Sequence, residues 1–118
     1  MRLNEITYTD ATPIDGYGPG FFRVGGEVFQ GSMLTGATGT TAWGGYEDIA
    51  PLLALAGEVD VLFLGTGTEI AYLPAALREA LDQAGLGFEV MNSPSACRTY
   101  NVLLAEGRRT ALAALAVV

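Results

Sequence analysis

Val59-Asp-Val-Leu-Phe-Leu64, followed at once by Gly65-Thr66-Gly67-Thr68, decides the fold. The first six residues are nearly continuous apolar sequence rich in β-formers. Such a run reads as a central parallel strand buried on both faces. The glycine-threonine stretch is the turn that leaves it. A helix over Leu73–Ala84 follows, with Pro74 near its start and Gly85 just past its end. Leu73, Leu77, Ala80, Leu81 and Ala84 recur at helical spacing and form its inner face, while Arg78, Glu79, Asp82 and Gln83 meet water. Leu86–Met91 reads as the next strand. Strand, helix, strand implies a right-handed crossover and a parallel pair.

The pattern extends both ways from this unit. Upstream, a helix is expected with Asp48 as its N-cap and Pro51 in its first turn, where a missing N–H costs nothing. Ile49, Leu52, Leu53 and Ala56 form its buried face, and Gly57 ends it. Thr40–Trp43 reads as a short strand. Phe21–Val24 and Glu27–Gln30 flank Gly25-Gly26, the signature of a two-residue hairpin, with Ser32–Leu34 extending the second arm. Ile6 and Tyr8 alternate with polar neighbours and suggest a further strand. Downstream, Ser93 caps a third helix with Pro94 at its first position; it runs to Glu106 and stops at Gly107. Arg108–Val117 is rich in Ala and Leu, which favours helix, but Gly107 breaks the helix and the chain runs on to Val-Val. A final strand is the expectation. The hairpin adds antiparallel strands, so the sheet is mixed, with helices packed on it.

The 118 residues make one ordinary domain, residues 1–118, and half of them are hydrophobic against 16% charged, enough for a core without staples. Missing residue types exclude much chemistry. There is no histidine, and all six basic residues are Arg. Histidine catalysis, Schiff-base lysine chemistry and the P-loop are therefore excluded. One cysteine, Cys97, precludes an internal disulfide and the usual zinc sites, so neither metal nor cofactor is expected. The single thiol fits a reducing compartment. The net charge of −7 argues against nucleic acid, although Arg98, Arg108 and Arg109 face only Glu106 locally. Met1–Asp10 is polar and mixed in charge, unlike a signal peptide. No apolar run approaches the roughly 20 residues of a membrane span. A cytoplasmic location is the expectation.

The most distinctive stretch is Met91-Asn-Ser-Pro-Ser-Ala-Cys-Arg-Thr-Tyr-Asn-Val-Leu-Leu-Ala-Glu-Gly-Arg-Arg109. Together with Leu64-Gly-Thr-Gly67, Trp43, Gly31 and the glycine-rich hairpin, it resembles a family of small domains of unknown function. That family is widespread in bacteria and archaea and includes the mitochondrial assembly factor for respiratory complex I and an animal adipogenesis-associated protein. The resemblance implies a single three-layer α/β domain with a central mixed β-sheet, an N-terminal antiparallel hairpin and about three helices. It also implies a non-catalytic assembly role. Many relatives carry an acidic residue and a threonine after the methionine, where this chain has Asn92 and Ser93. Any chemistry of that acid is absent here.

Two regions are candidates for function. Ligands of parallel sheets bind beyond the carboxyl ends of strands. Gly65, Thr66 and Gly67 and the helix start at Ser93 would then lie side by side, offering free N–H groups and hydroxyls, those of Thr66, Thr68 and Ser93, to an anion. The alternative is that the glycines permit tight turns and the serine caps a helix. The second region is the helix itself. Arg98 lies too far along it for a cap contact and either pairs with an acid or faces a partner. Thr99, Tyr100 and Asn101 read as structural, the tyrosine packing on the sheet and the asparagine bonding backbone. Cys97 reads as a packing residue because no histidine can serve as its base. Trp43 is either core or, exposed with Tyr46, a partner surface. Glu47/Asp48 and Glu58/Asp60 lack the supporting polar groups of a glycosidase pair. The leading expectation is a non-catalytic binding or assembly module for a respiratory or other membrane complex, acting through a protein partner. The alternatives are an anionic small-molecule binder or weak enzyme at the Gly65–Gly67/Ser93 corner, and a homo-oligomer.

Overall fold

The structure, a computed structural model, describes residues 11–118, so the strand expected at Ile6 and Tyr8 lies outside it. Eight strands and three helices follow in the order β1 (Ile14–Gly18), β2 (Phe21–Val24), β3 (Glu27–Gln30), β4 (Met33–Gly36), β5 (Gly39–Ala42), α1 (Ala50–Leu53), β6 (Val61–Gly65), α2 (Ala75–Gln83), β7 (Phe88–Met91), α3 (Ser93–Ala105) and β8 (Thr110–Ala114). Strands β1-β2-β3 form an antiparallel sheet of three; β5-β4-β8-β6-β7 form a mixed sheet of five.

The large sheet is built around β8. It pairs parallel with β6, Val61 opposite Thr110 and Gly65 opposite Ala114, and antiparallel with β4. All five of its residues are buried. The Ala-rich segment is thus a strand because both its faces and both its edges are covered. Small side chains there let the layers above and below approach closely. On β6, Phe63 points to one face and Leu62 and Leu64 to the other. One face packs under α1 and α2, through Leu52, Leu77 and Leu81. The other packs under α3 and the small sheet, through Cys97, Tyr100, Phe22 and Val24. These are the three layers.

The hairpin β2–β3 turns at Gly25 (φ 60°) and Gly26 (φ 81°), the positive angles that a two-residue turn of matching twist requires. It does not extend through Ser32–Leu34. The chain reverses at Gly31 and Met33 opens β4 in the other sheet, so the antiparallel members of the mixed sheet are β4 and β5. The helix expected from Asp48 is shorter, a single turn over Ala50–Leu53. Asp48 does not cap it: its carboxylate accepts from the Gly44 N–H at 2.8 Å. Leu53 is exposed and Leu52 carries the burial. α2 is shorter than the expected Leu73–Ala84: Leu77 and Leu81 on it are buried, whereas Ala84, just past its end, is exposed. Asp60 lies outside β6 and pairs with Arg109 at 3.0 Å on the surface.

Candidate functional site

The Gly65-Thr66-Gly67 turn and the start of α3 do meet. Asn92, not Ser93, is the N-cap of α3, its Oδ1 accepting from the Ser95 N–H at 2.8 Å. This frees the Ser93 hydroxyl, which is fully buried. It accepts from the Gly67 N–H at 2.9 Å and donates to the Leu115 carbonyl at 2.7 Å. The Ser93 N–H donates in turn to the Gly67 carbonyl at 2.8 Å, and the Leu115 N–H donates to the Gly65 carbonyl. A Cβ at Gly65 would stand 2.6 Å from Ser93 Oγ, so glycine is what lets helix and strand touch. Gly67 has φ 96°, a conformation that side chains rarely adopt.

The remaining polar groups of the corner are also engaged locally. The Thr66 hydroxyl donates to the Glu69 carbonyl at 2.7 Å and its N–H donates to the Met91 carbonyl. Thr68 Oγ1 accepts from the Val118 N–H at 3.1 Å. The Thr66 and Ser93 hydroxyls and the Gly67, Ser93 and Ser95 N–H groups thus donate to oxygens within the fold, and the arrangement ties β6, β8's exit and α3 into one joint. Among the described residues, no three His, Cys, Asp or Glu side chains converge as metal ligands.

One turn further on, α3 sorts its residues by face. Cys97 is buried, and burial pushes its thiol pKa up to about 12 against the opposing pull of Arg98. It stays protonated at neutral pH and is a poor nucleophile. Tyr100 is buried against the sheet; burial likewise pushes its hydroxyl up to about 12, more than nearby Thr35 lowers it. That hydroxyl has no hydrogen-bond partner among the described residues. Thr35 Oγ1 is engaged with Thr40 Oγ1 at 2.7 Å. Asn101 clamps the edge of β1: its Oδ1 accepts from the Ile14 N–H at 2.8 Å and its Nδ2 donates to the Ile14 carbonyl at 2.9 Å. Thr99 is half-buried. Arg98 is exposed and makes no ion pair among the described residues. It lines a surface depression of about 270 Å³ with Tyr17, Pro94 and Val102. Tyr17 (46% exposed) and Val102 (52%) were not singled out from the sequence; the available signal was an apolar residue at i+4 from Arg98 on a helix. Trp43 is buried, its indole N–H donating to the Asp48 carbonyl at 3.0 Å and its ring meeting Tyr46 edge-on.

Fold and site together define a mixed α/β domain whose distinctive helix turns one arginine outward and spends its other signature residues on packing. The chain belongs to the family described as protein of unknown function (DUF498/DUF598), whose model matches residues 14–115. It is 49% identical to an uncharacterized protein of Rhodobacter capsulatus over 98% of this chain and 93% of that one. It is 31% identical to NADH dehydrogenase (ubiquinone) 1 alpha subcomplex assembly factor 3 of Mus musculus, over 96% of this chain but 65% of the relative's length. Among solved structures, one described as an outer membrane protein from Bartonella henselae superposes with a TM-score of 0.84 at 36% identity, covering 92% of this chain and 97% of that one. Relatives thus include a complex I assembly factor. No helix among the described residues is long and apolar enough to cross a membrane.

Proposed function

We propose that the chain is a non-catalytic protein-binding module that assists assembly of a membrane complex, a respiratory complex of the kind the assembly-factor relatives name. The observation that carries this reading is the similarity to that assembly factor along 96% of the chain, which includes the whole of α3. The geometry supports it. Arg98 is exposed on α3 and lines one depression with the exposed Tyr17 and Val102. Arginine flanked by aromatic and aliphatic groups is the composition of a protein contact. At the Gly65–Gly67/Ser93 corner the hydroxyls and N–H groups have partners inside the fold, which supports a structural role there.

The test is affinity capture with tagged chain from the native host, followed by mass spectrometry. Wild type is expected to bring down subunits of a membrane complex, and Arg98→Glu to lose them while keeping its fold. Capture that is identical in both variants, or a bound metabolite with no protein, would overturn the reading.

A further inference from the structure

Among the described residues, the two sheets have four edges with no further strand paired to them, and three are guarded. The edge of β1 carries the Asn101 amide on Ile14 and a bulge at Asp15. Those of β7 and β3 carry the charged Glu89 and Glu27. Charge, bulges and covering groups are how sheets avoid recruiting another strand. The edge of β5, Gly39-Thr40-Thr41-Ala42, carries no charged side chain and no bulge, and three of its four residues are exposed.

Which backbone groups of β5 face outward follows from its pairing with β4. Thr35 stands opposite Thr40 and Met33 opposite Ala42. The Trp43 N–H donates to the Ser32 carbonyl at 3.0 Å, so Trp43, Thr41 and Gly39 turn their backbone groups toward β4. Thr40 and Ala42 turn theirs away, and among the described residues neither meets a partner. Two residues at strand spacing thus present N–H and C=O groups in the pattern that one extended chain completes.

Beside this edge, on the α1 face of the sheet, lies a groove of about 670 Å³. Gly36, Gly39 and Ala111 leave its floor low, and Leu34, Pro51 and Leu55 make it apolar. Arg109, held by Asp60, and Glu58, without an ion pair among the described residues, both line it. With a chain charge of −7, that favours neutral or basic flanks on whatever binds.

We infer that β5 is a strand-addition site: it takes an extended segment of a partner protein, with apolar side chains at alternate positions entering the groove and basic residues flanking them. Main-chain hydrogen bonds to Thr40 and Ala42 supply register, and the groove supplies side-chain selection. This site lies on the opposite face of the sheet from Arg98 and stands independently of the assembly reading.

The experiment titrates acetyl-Arg-Val-Thr-Val-Thr-Val-Arg-amide into isotope-labelled protein, read by amide and methyl NMR. Saturable shifts are expected at the Thr40 and Ala42 amides and the Leu55 and Val59 methyls. Ala42→Pro removes an outward N–H and no ladder bond, so the variant should fold and bind about tenfold more weakly or worse. Ala54→Trp should fill the groove with the same effect, and Arg98→Glu should bind as wild type does. Shifts that map elsewhere, no shift at millimolar peptide, or unchanged binding by either Ala42→Pro or Ala54→Trp would overturn the inference. So would a wild-type dimer that Ala42→Pro dissociates, since the edge would then belong to a second copy of the chain.

Discussion

Ser93 and Gly65 show how single residues set the joint between β6 and α3. The serine hydroxyl joins the Gly67 N–H to the Leu115 carbonyl, so Ser93→Ala takes the partner from one buried and one part-buried group. The expected loss is about 1–3 kcal/mol of stability, read by urea denaturation. Gly65→Ala puts a methyl 2.6 Å from Ser93 Oγ and 3.1 Å from Ala114 Cβ and should cost at least roughly as much. Tyr100 runs the other way. Its buried hydroxyl has no hydrogen-bond partner among the described residues, so Tyr100→Phe should leave stability unchanged or raise it; a loss above about 1 kcal/mol would contradict that account. Tyr100 and Cys97 also fix the alkaline behaviour. Folding raises the tyrosine from 10.0 and the thiol from 9.0, both to about 12, so the folded state holds these protons more tightly than the unfolded chain. Their contribution is intact below pH 9 and is lost as pH climbs from 9 toward 12. Tyr100→Phe should blunt that loss, as followed by denaturation midpoint against pH.

At the scale of elements, patterning carried most of the information. The apolar run at Val61–Leu64, the hairpin at Gly25-Gly26 and the capped periodic stretches over α2 and α3 were each legible because local propensity and burial agree there. Local sequence misleads where a side chain has two uses. Asp48 and Ser93 are both good cap residues, yet Asp48 holds the Gly44 N–H and Ser93 is pulled into the joint, leaving the cap to Asn92. The partners of Ser93 lie 26 and 22 positions away, and that of Asp48 lies four residues back across a turn, so the cap pattern itself marks neither. The same limit hid the separation of β3 from β4, since the change of sheet at Gly31 depends on which surface Met33 finds. The clamp of Asn101 on Ile14, 87 positions away, joins the small sheet to α3. Asn101→Ala should cost about 1–2 kcal/mol and speed hydrogen exchange at the Ile14 amide, while exchange in β8 stays slow.

At the scale of the whole molecule, the sheet divides the protein into two working faces. On one, α3 keeps its cysteine, tyrosine and asparagine for packing and turns Arg98 outward beside Tyr17 and Val102. On the other, among the described residues, a one-turn α1 leaves a groove over part of the sheet next to β5. The missing residue types were plain in the sequence and excluded histidine catalysis and Schiff-base lysine chemistry; which side chains stand exposed on each face emerged only from burial. The most direct test of the assembly account is a native-gel profile of the host's membrane complexes in a strain lacking this protein. Subassemblies of a respiratory complex should accumulate, wild-type chain should restore the full complex, and Arg98→Glu should not. A normal complement of assembled complexes without the protein would contradict the account.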